Sequence, residues 1–170
     1  MKECYVLLDD NEYKKTWDTV YKKLNFKPST NKGETPFDID KPFVVYDLTQ
    51  VSEQNIDDFD EVISNTFSNC IGDDEYMYAL DWQHSGFRYN PRIRIEQRSL
   101  YIKDECYQNG GYNAFFPDFF PDGDYYFFIS INFDWGYLGH PWQQKVWVFG
   151  EKLIEEFEKV YQKIGFTKCS

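Results

Sequence analysis

The chain has 170 residues, 42% of them apolar and 21% aromatic, with 18 basic against 29 acidic side chains and a formal net charge of −11. That length suits a single domain over residues 1–170, and the apolar share is enough for a core, which excludes a disordered chain. The negative charge disfavours nucleic acid and anionic membrane surfaces as partners; it aids solubility and complements a basic protein partner.

The N-terminal apolar run Tyr5-Val6-Leu7-Leu8 is too short for a signal-peptide core, and no later stretch approaches a membrane span, so the expectation is a cytoplasmic protein with no membrane association. Cys4, Cys70, Cys106 and Cys169 are far apart and form no C-x-x-C pair, which reads as reduced thiols.

From Asp9 to Leu24 the positions Tyr13, Trp17, Val20, Tyr21 and Leu24 recur at helical spacing, with Lys14, Lys15, Lys22 and Lys23 on other faces. This amphipathic helix should stop at Asn25, which tolerates a left-handed conformation, with Phe26 folding back on Tyr21 and Pro28 preventing continuation. Residues 27–41 read as a polar loop, and Phe43 to Tyr46 as a strand. A second helix should follow Ser52 as N-cap, burying Ile56, Phe59, Val62, Ile63 and Phe67 and exposing Asp57, Asp58, Asp60 and Glu61. Tyr76 to Trp82, part of Ile93 to Ile102, Tyr125 to Ile131 and Val146 to Phe149 read as further strands. The segment Arg92-Ile93-Arg94-Ile95 alternates as a half-exposed strand would, and Asp104 to Asn113 reads as a loop. Tyr125 to Ile131 lacks polar alternation, which suits a central strand covered on both faces. The last helix carries Leu153, Ile154, Phe157, Val160, Tyr161 and Ile164, ends at Gly165 with Phe166 against Tyr161, and offers a Glu155–Lys159 pair. Strands in succession between helices predict an α+β fold: a central, mostly antiparallel sheet of about five strands packed by about three helices.

Three constellations could carry chemistry. Phe115 to Asp124 is a near-tandem of aromatic pairs and Pro-Asp turns; Asp118, Asp122 and Asp124 could ligate a hard cation, but EF-hand spacing is missing and turn formation accounts for the run, so no metal or cofactor is expected. Phe133 to Trp142 reads as an aromatic loop joining two strands, in which His140 could act as a base oriented by Asp134. Asp81-Trp82-Gln83-His84 closes a strand, and a shared site would require His84 and His140, the two histidines, to meet. Trp82, Trp135, Trp142 and Trp147 invite an aromatic-groove reading, with core packing as the simpler alternative.

The runs Tyr78 to His84, Tyr89-Asn90-Pro91, Phe120 to Phe128, Trp135 to Trp142 and Val148-Phe149-Gly150 resemble the bacterial family catalogued as domain of unknown function 2716. The resemblance is close over the second half and loose over the first. It implies no activity; it does imply that Trp82, His84, Tyr89, Pro91, the Pro-Asp-Gly-Asp turn and the Gly-His-Pro-Trp loop are family hallmarks, and that Arg92 to Asn113 is an enlarged connection.

The leading expectation is a non-enzymatic binding module, of immunity or inhibitor type against a basic toxin or effector, with Trp82, Tyr89, Asp122, Trp135, His140 and Trp142 as binding candidates. The alternative is a small hydrolase or transferase whose pocket gathers Asp81, His84, Asp124 and His140.

Overall fold

In the computed structural model, which describes residues 2–31, 33–51, 56–104 and 110–169, the first helical segment forms as its caps dictate. Helix α1 spans Asp10–Leu24; the Asp9 carboxylate accepts the Glu12 N–H at its start, and Asn25 ends it in the left-handed region at φ 46°. Phe26 stacks on Tyr21 with ring centroids 5.5 Å apart. Helix α2 covers Ile56–Ser68 and α3 Glu151–Glu158. The Ser52 cap and the side chains of Ile56, Asp57 and Asp58 lie outside the described residues, as does Cys106.

Past α3 the chain continues as hydrogen-bonded turns instead of the longer helix expected, and closes in a Schellman arrangement: the Phe166 N–H donates to Tyr161 C=O at 2.9 Å and the Gly165 N–H to Gln162 C=O at 3.2 Å. Phe166 and Tyr161 both pack on Tyr46. Lys159 pairs with Glu156 at 2.8 Å in place of Glu155.

The fold is α+β with three helices among the described residues, and its main sheet has eight antiparallel strands, not about five. These are β1 Tyr5–Leu7, β2 Phe43–Asp47, β3 Met77–Asp81, β4 Ser85–Tyr89, β7 Tyr126–Ser130, β8 Gly136–His140, β9 Lys145–Phe149 and β10 Thr167–Lys168, in the order β1-β4-β3-β7-β8-β9-β2-β10. Strands β5 Ser99–Lys103 and β6 Gly111–Phe115 form a separate hairpin, so the loop expected over 104–113 begins its return strand at Gly111. Arg92 to Ile95 is not a strand: the Ile93 N–H and the Arg92 N–H both bond Asn90, and the chain turns there.

The principal correction is β8. Gly136 to His140 was expected in a loop, yet it runs between β7 and β9 with every residue buried. Its glycines mark close approach: a Cβ at Gly136 would stand 2.5 Å from the Phe149 ring, and one at Gly139 3.0 Å from Pro121.

Both faces of the sheet are covered. Trp17, Val20 and Leu24 of α1 join Leu80, Phe127, Ile129, Leu138 and Trp147 on one face. Phe37 and Ile39, in the connection expected to be polar, complete that layer. Phe59, Ile63 and Phe67 of α2 and Leu153 and Phe157 of α3 join Ala79, Phe87, Phe128, Tyr137 and Val148 on the other. Burying each large apolar side chain stabilises by about 1.5–3 kcal/mol, which makes these two layers the main cohesive force. No helix among the described residues is long and apolar enough to cross a membrane.

Candidate functional site

The tight β3–β4 hairpin determines where the first candidate residues stand. Asp81 pairs with Ser85 across it, leaving a three-residue loop in which Gln83 takes φ 65° and the His84 N–H donates to Asp81 C=O at 3.1 Å. That turn folds the imidazole back so that Nδ1 lies 3.0 Å from the Asp81 carboxylate. Asp124 enters from the start of β7, where its carboxylate accepts the Tyr125 N–H, and reaches His84 Nδ1 at 3.7 Å. The ligand atoms of Asp81, His84 and Asp124 all lie within 4.8 Å of one another.

Tyr126 is the cross-strand partner of Asp81 and shares its face. Its hydroxyl sits over the Pro121-Asp122-Gly123 turn, where a Cβ at Gly123 would come within 2.6 Å. Gly123 therefore serves close approach; positive φ among the described glycines falls at Gly110, Gly150 and Gly165.

The electrostatics of this corner are dominated by carboxylates. Burial, helped by Asp124 and Asp118 and opposed by His84, pushes the Asp81 carboxyl up to about 6. Desolvation pulls the His84 imidazole down, but the bond to Asp81 and the charges of Asp81 and Asp124 outweigh it and the net value is raised. The Tyr126 phenol is raised by burial and by Asp81, Asp122, Asp118 and Asp124, and Asp118 by burial with Asp122 and Asp60 beyond the opposing Arg98. A corner held at negative potential attracts a cation: an ammonium, a guanidinium or a hard metal ion, for which Asp81, Asp124 and His84 form a mixed oxygen and nitrogen donor set.

His140 is not part of this corner. Gly139 is the partner of Tyr126, so Asp81, Tyr126 and Gly139 point to one face and His140, one residue on, to the other. There it is fully buried against Tyr125 and Trp147, and burial, with Lys145 nearby, lowers it to about 4. The Gln143 N–H points at Nδ1 from 3.4 Å, and Nε2 lies 3.3 Å from a Tyr125 hydroxyl that already donates to Ser29 C=O at 2.6 Å. The Nε2–H tautomer is the neutral form that satisfies every partner.

The remaining candidates divide. Trp82 is partly exposed, its Nε1–H donating to the Tyr21 hydroxyl at 2.9 Å, and Trp142 lies beside Tyr125 and His140. Asp122 is exposed beside Tyr126. Trp135 is taken up in the core, stacked on Phe67. Tyr89 is fully buried and lines a cavity beside α2. Nothing local in the sequence marks Tyr126 or Arg98, which bridges Asp60 at 2.6 Å and Asp118 at 3.0 Å.

Residues 7–154 match the model of the family described as "Protein of unknown function (DUF2716)". The chain belongs to that family. It is also similar to "Uncharacterized protein YxiI" of Bacillus subtilis (strain 168), with 30% identity over 161 residues, 89% of this chain and 90% of that protein. The aspartate corner and the buried His140 both lie inside the family match, whereas Gly165 and β10 lie beyond it. No solved structure matches the chain.

Proposed function

We propose that this chain is a non-enzymatic binding module that seats a cationic group of a basic protein partner on the corner formed by Asp81, Asp118, Asp122 and Asp124, in the manner of an inhibitor or immunity protein covering a toxin or effector. The observation that carries the reading is the meeting of the Asp81, Asp124 and His84 polar atoms within 4.8 Å of one another, next to a Tyr126 phenol on which Asp118 and Asp122 also act electrostatically. A net charge of −11 steers a basic partner toward the chain, and the corner gives its lysine or arginine a defined seat. Binding there replaces repulsion among carboxylates by ion pairing.

The test is a pull-down from the native host with the purified chain as bait, run beside the Asp81→Asn/Asp124→Asn double variant. A basic protein retained stoichiometrically at low salt, released at high salt and absent from the variant lane supports the reading. Equal retention on both baits, or none, overturns it.

A second reading rests on one contact, the Asp81–His84 hydrogen bond. It holds an exposed imidazole with its value raised, the arrangement of a general acid or base in a small hydrolase or transferase. Turnover of any substrate that His84→Gln abolishes without unfolding the chain would favour it over the binding module.

A further inference from the structure

At the other end of β4 from Ser85, the chain encloses a different kind of site. A cavity of about 640 Å³ lies between α2 and residues 91–98, within the size range of small-molecule sites. Tyr89 lines its floor; the residue is 0% exposed, and its hydroxyl has no hydrogen-bond partner among the described residues. Arg98 lines the same cavity and acts electrostatically on the Tyr89 phenol. Its Nη1 is buried too, in ionic contact with Asp118 at 3.0 Å but without a hydrogen-bonded acceptor. A buried phenol without an acceptor, beside a guanidinium nitrogen held by an ion pair alone, calls for an occupant that brings oxygen atoms.

The charge around the cavity points the same way. In a chain of net charge −11, three arginines, Arg92, Arg94 and Arg98, line this one space. Arg92 is held by backbone carbonyls, its Nη2 donating to Ser68 C=O at 2.7 Å and Ile71 C=O at 2.8 Å, so it keeps its charge in place. Asp60 and Glu61 in the lining, Asp118 beside Arg98 and Asp73 at 3.4 Å from Arg92 offset these cations, so what the arginines offer an anion is directed donors and not a net positive field. Arg94 is exposed and has no ionic partner among the described residues.

We propose that this cavity binds a small oxyanion, a carboxylate or phosphate group, which accepts hydrogen bonds from the Tyr89 hydroxyl and Arg98 Nη1 at the floor and is faced by Arg94. Guanidinium groups favour such planar or tetrahedral oxygen sets, and the phenol adds a directed neutral donor. Asp81 and Asp124 do not line it, and the one link to the aspartate corner is the Asp118–Arg98 ion pair.

The experiment is NMR of the arginine Nε–H groups of the full chain, titrated at fixed ionic strength with inorganic phosphate and, separately, with acetate. The expected result is saturable movement of the Arg98 and Arg94 signals with at least one probe, half-complete in the millimolar range or below. Phosphate alone, or acetate alone, identifies the group recognised. Tyr89→Phe keeps the ring packed on Phe116 and Phe119 and should weaken binding by about tenfold, the worth of one hydrogen bond to a charged group. Arg94→Gln, at an exposed position, should weaken it similarly while leaving the melting temperature unchanged. No saturable movement with either probe, meaning water alone fills the cavity, overturns the proposal; so does affinity unchanged in both variants.

Discussion

His140 and Tyr125 form a buried pair, Nε2 to hydroxyl at 3.3 Å, through which the 27–41 connection is anchored to the sheet. The same hydroxyl accepts the Ser29 N–H at 2.9 Å and donates to Ser29 C=O at 2.6 Å, so one oxygen ties a strand, a histidine and a loop. Replacing it by Tyr125→Phe leaves the His140 N–H and both Ser29 groups without their partner, and stability should fall by about 1–3 kcal/mol. Chemical denaturation at neutral pH measures this.

Acid should act through the same pair. The folded value of His140 is depressed to about 4 from an ordinary 6.5, so the unfolded chain binds the proton more readily. The contribution is complete above about pH 6.5 and is lost as pH falls toward 4, amounting to about 3 kcal/mol across that window. His140→Gln should flatten the slope of stability against pH between those values, which denaturation at a series of pH values tests; an unchanged slope would contradict the neutral, buried assignment.

Asp81 should behave in the opposite sense. Its folded value is raised to about 6, so ionisation is a cost that the native state meets as pH rises through that value. Asp81→Asn removes the cost, and stability at neutral pH should rise by on the order of 1–2 kcal/mol, with the difference from the parent vanishing near pH 4. Calorimetry at both pH values decides this. The His84 imidazole, followed by NMR in the variant, should titrate lower once Asp81 no longer holds it.

Two glycines of positive φ should respond differently to alanine. At Gly150, φ is 89° and a Cβ would lie 2.4 Å from Asp134 C=O, so Gly150→Ala should cost more than about 2 kcal/mol. At Gly165, φ is 83° but the nearest atom would be 3.4 Å away, so Gly165→Ala should cost only about 1 kcal/mol, the conformational term alone. Urea midpoints of the two variants give the comparison.

Phe67 joins α2 to the sheet through Phe128, Trp135, Tyr137 and Phe119, with ring centroids 5.7 to 6.1 Å away. Phe67→Ala should destabilise by about 3–5 kcal/mol, the transfer loss plus the cavity left among stiff aromatic neighbours. Thermal unfolding reads this, and a cost below about 1 kcal/mol would show that the site collapses.

What the sequence determined by itself is local: where α1 starts and stops, how the C-terminal turn closes at Gly165, which stripe each helix buries, and the charge the chain carries. Asp9, Asn25 with Phe26 on Tyr21, and Gly165 act on backbone groups a few residues away, so their stereochemistry is legible in order along the chain. The central strand Tyr126 to Ser130 was legible for a similar reason, since an unbroken apolar run needs cover on both faces. Strand β8 was not legible: its glycines read as loop residues until Phe149 and Pro121 stand against them. The three-residue strand β1 exists only because β4 pairs with it. The candidate site shows the same division. His84 beside Asp81 follows from a short turn, but Asp124, Tyr126 and Arg98 join the corner through pairing and packing across sequence distance. The separation of the two histidines was decided by tertiary structure alone. Pairing register places Gly139, and not His140, opposite Tyr126, and in a pleated strand a shift of one residue sends a side chain to the other side of the sheet.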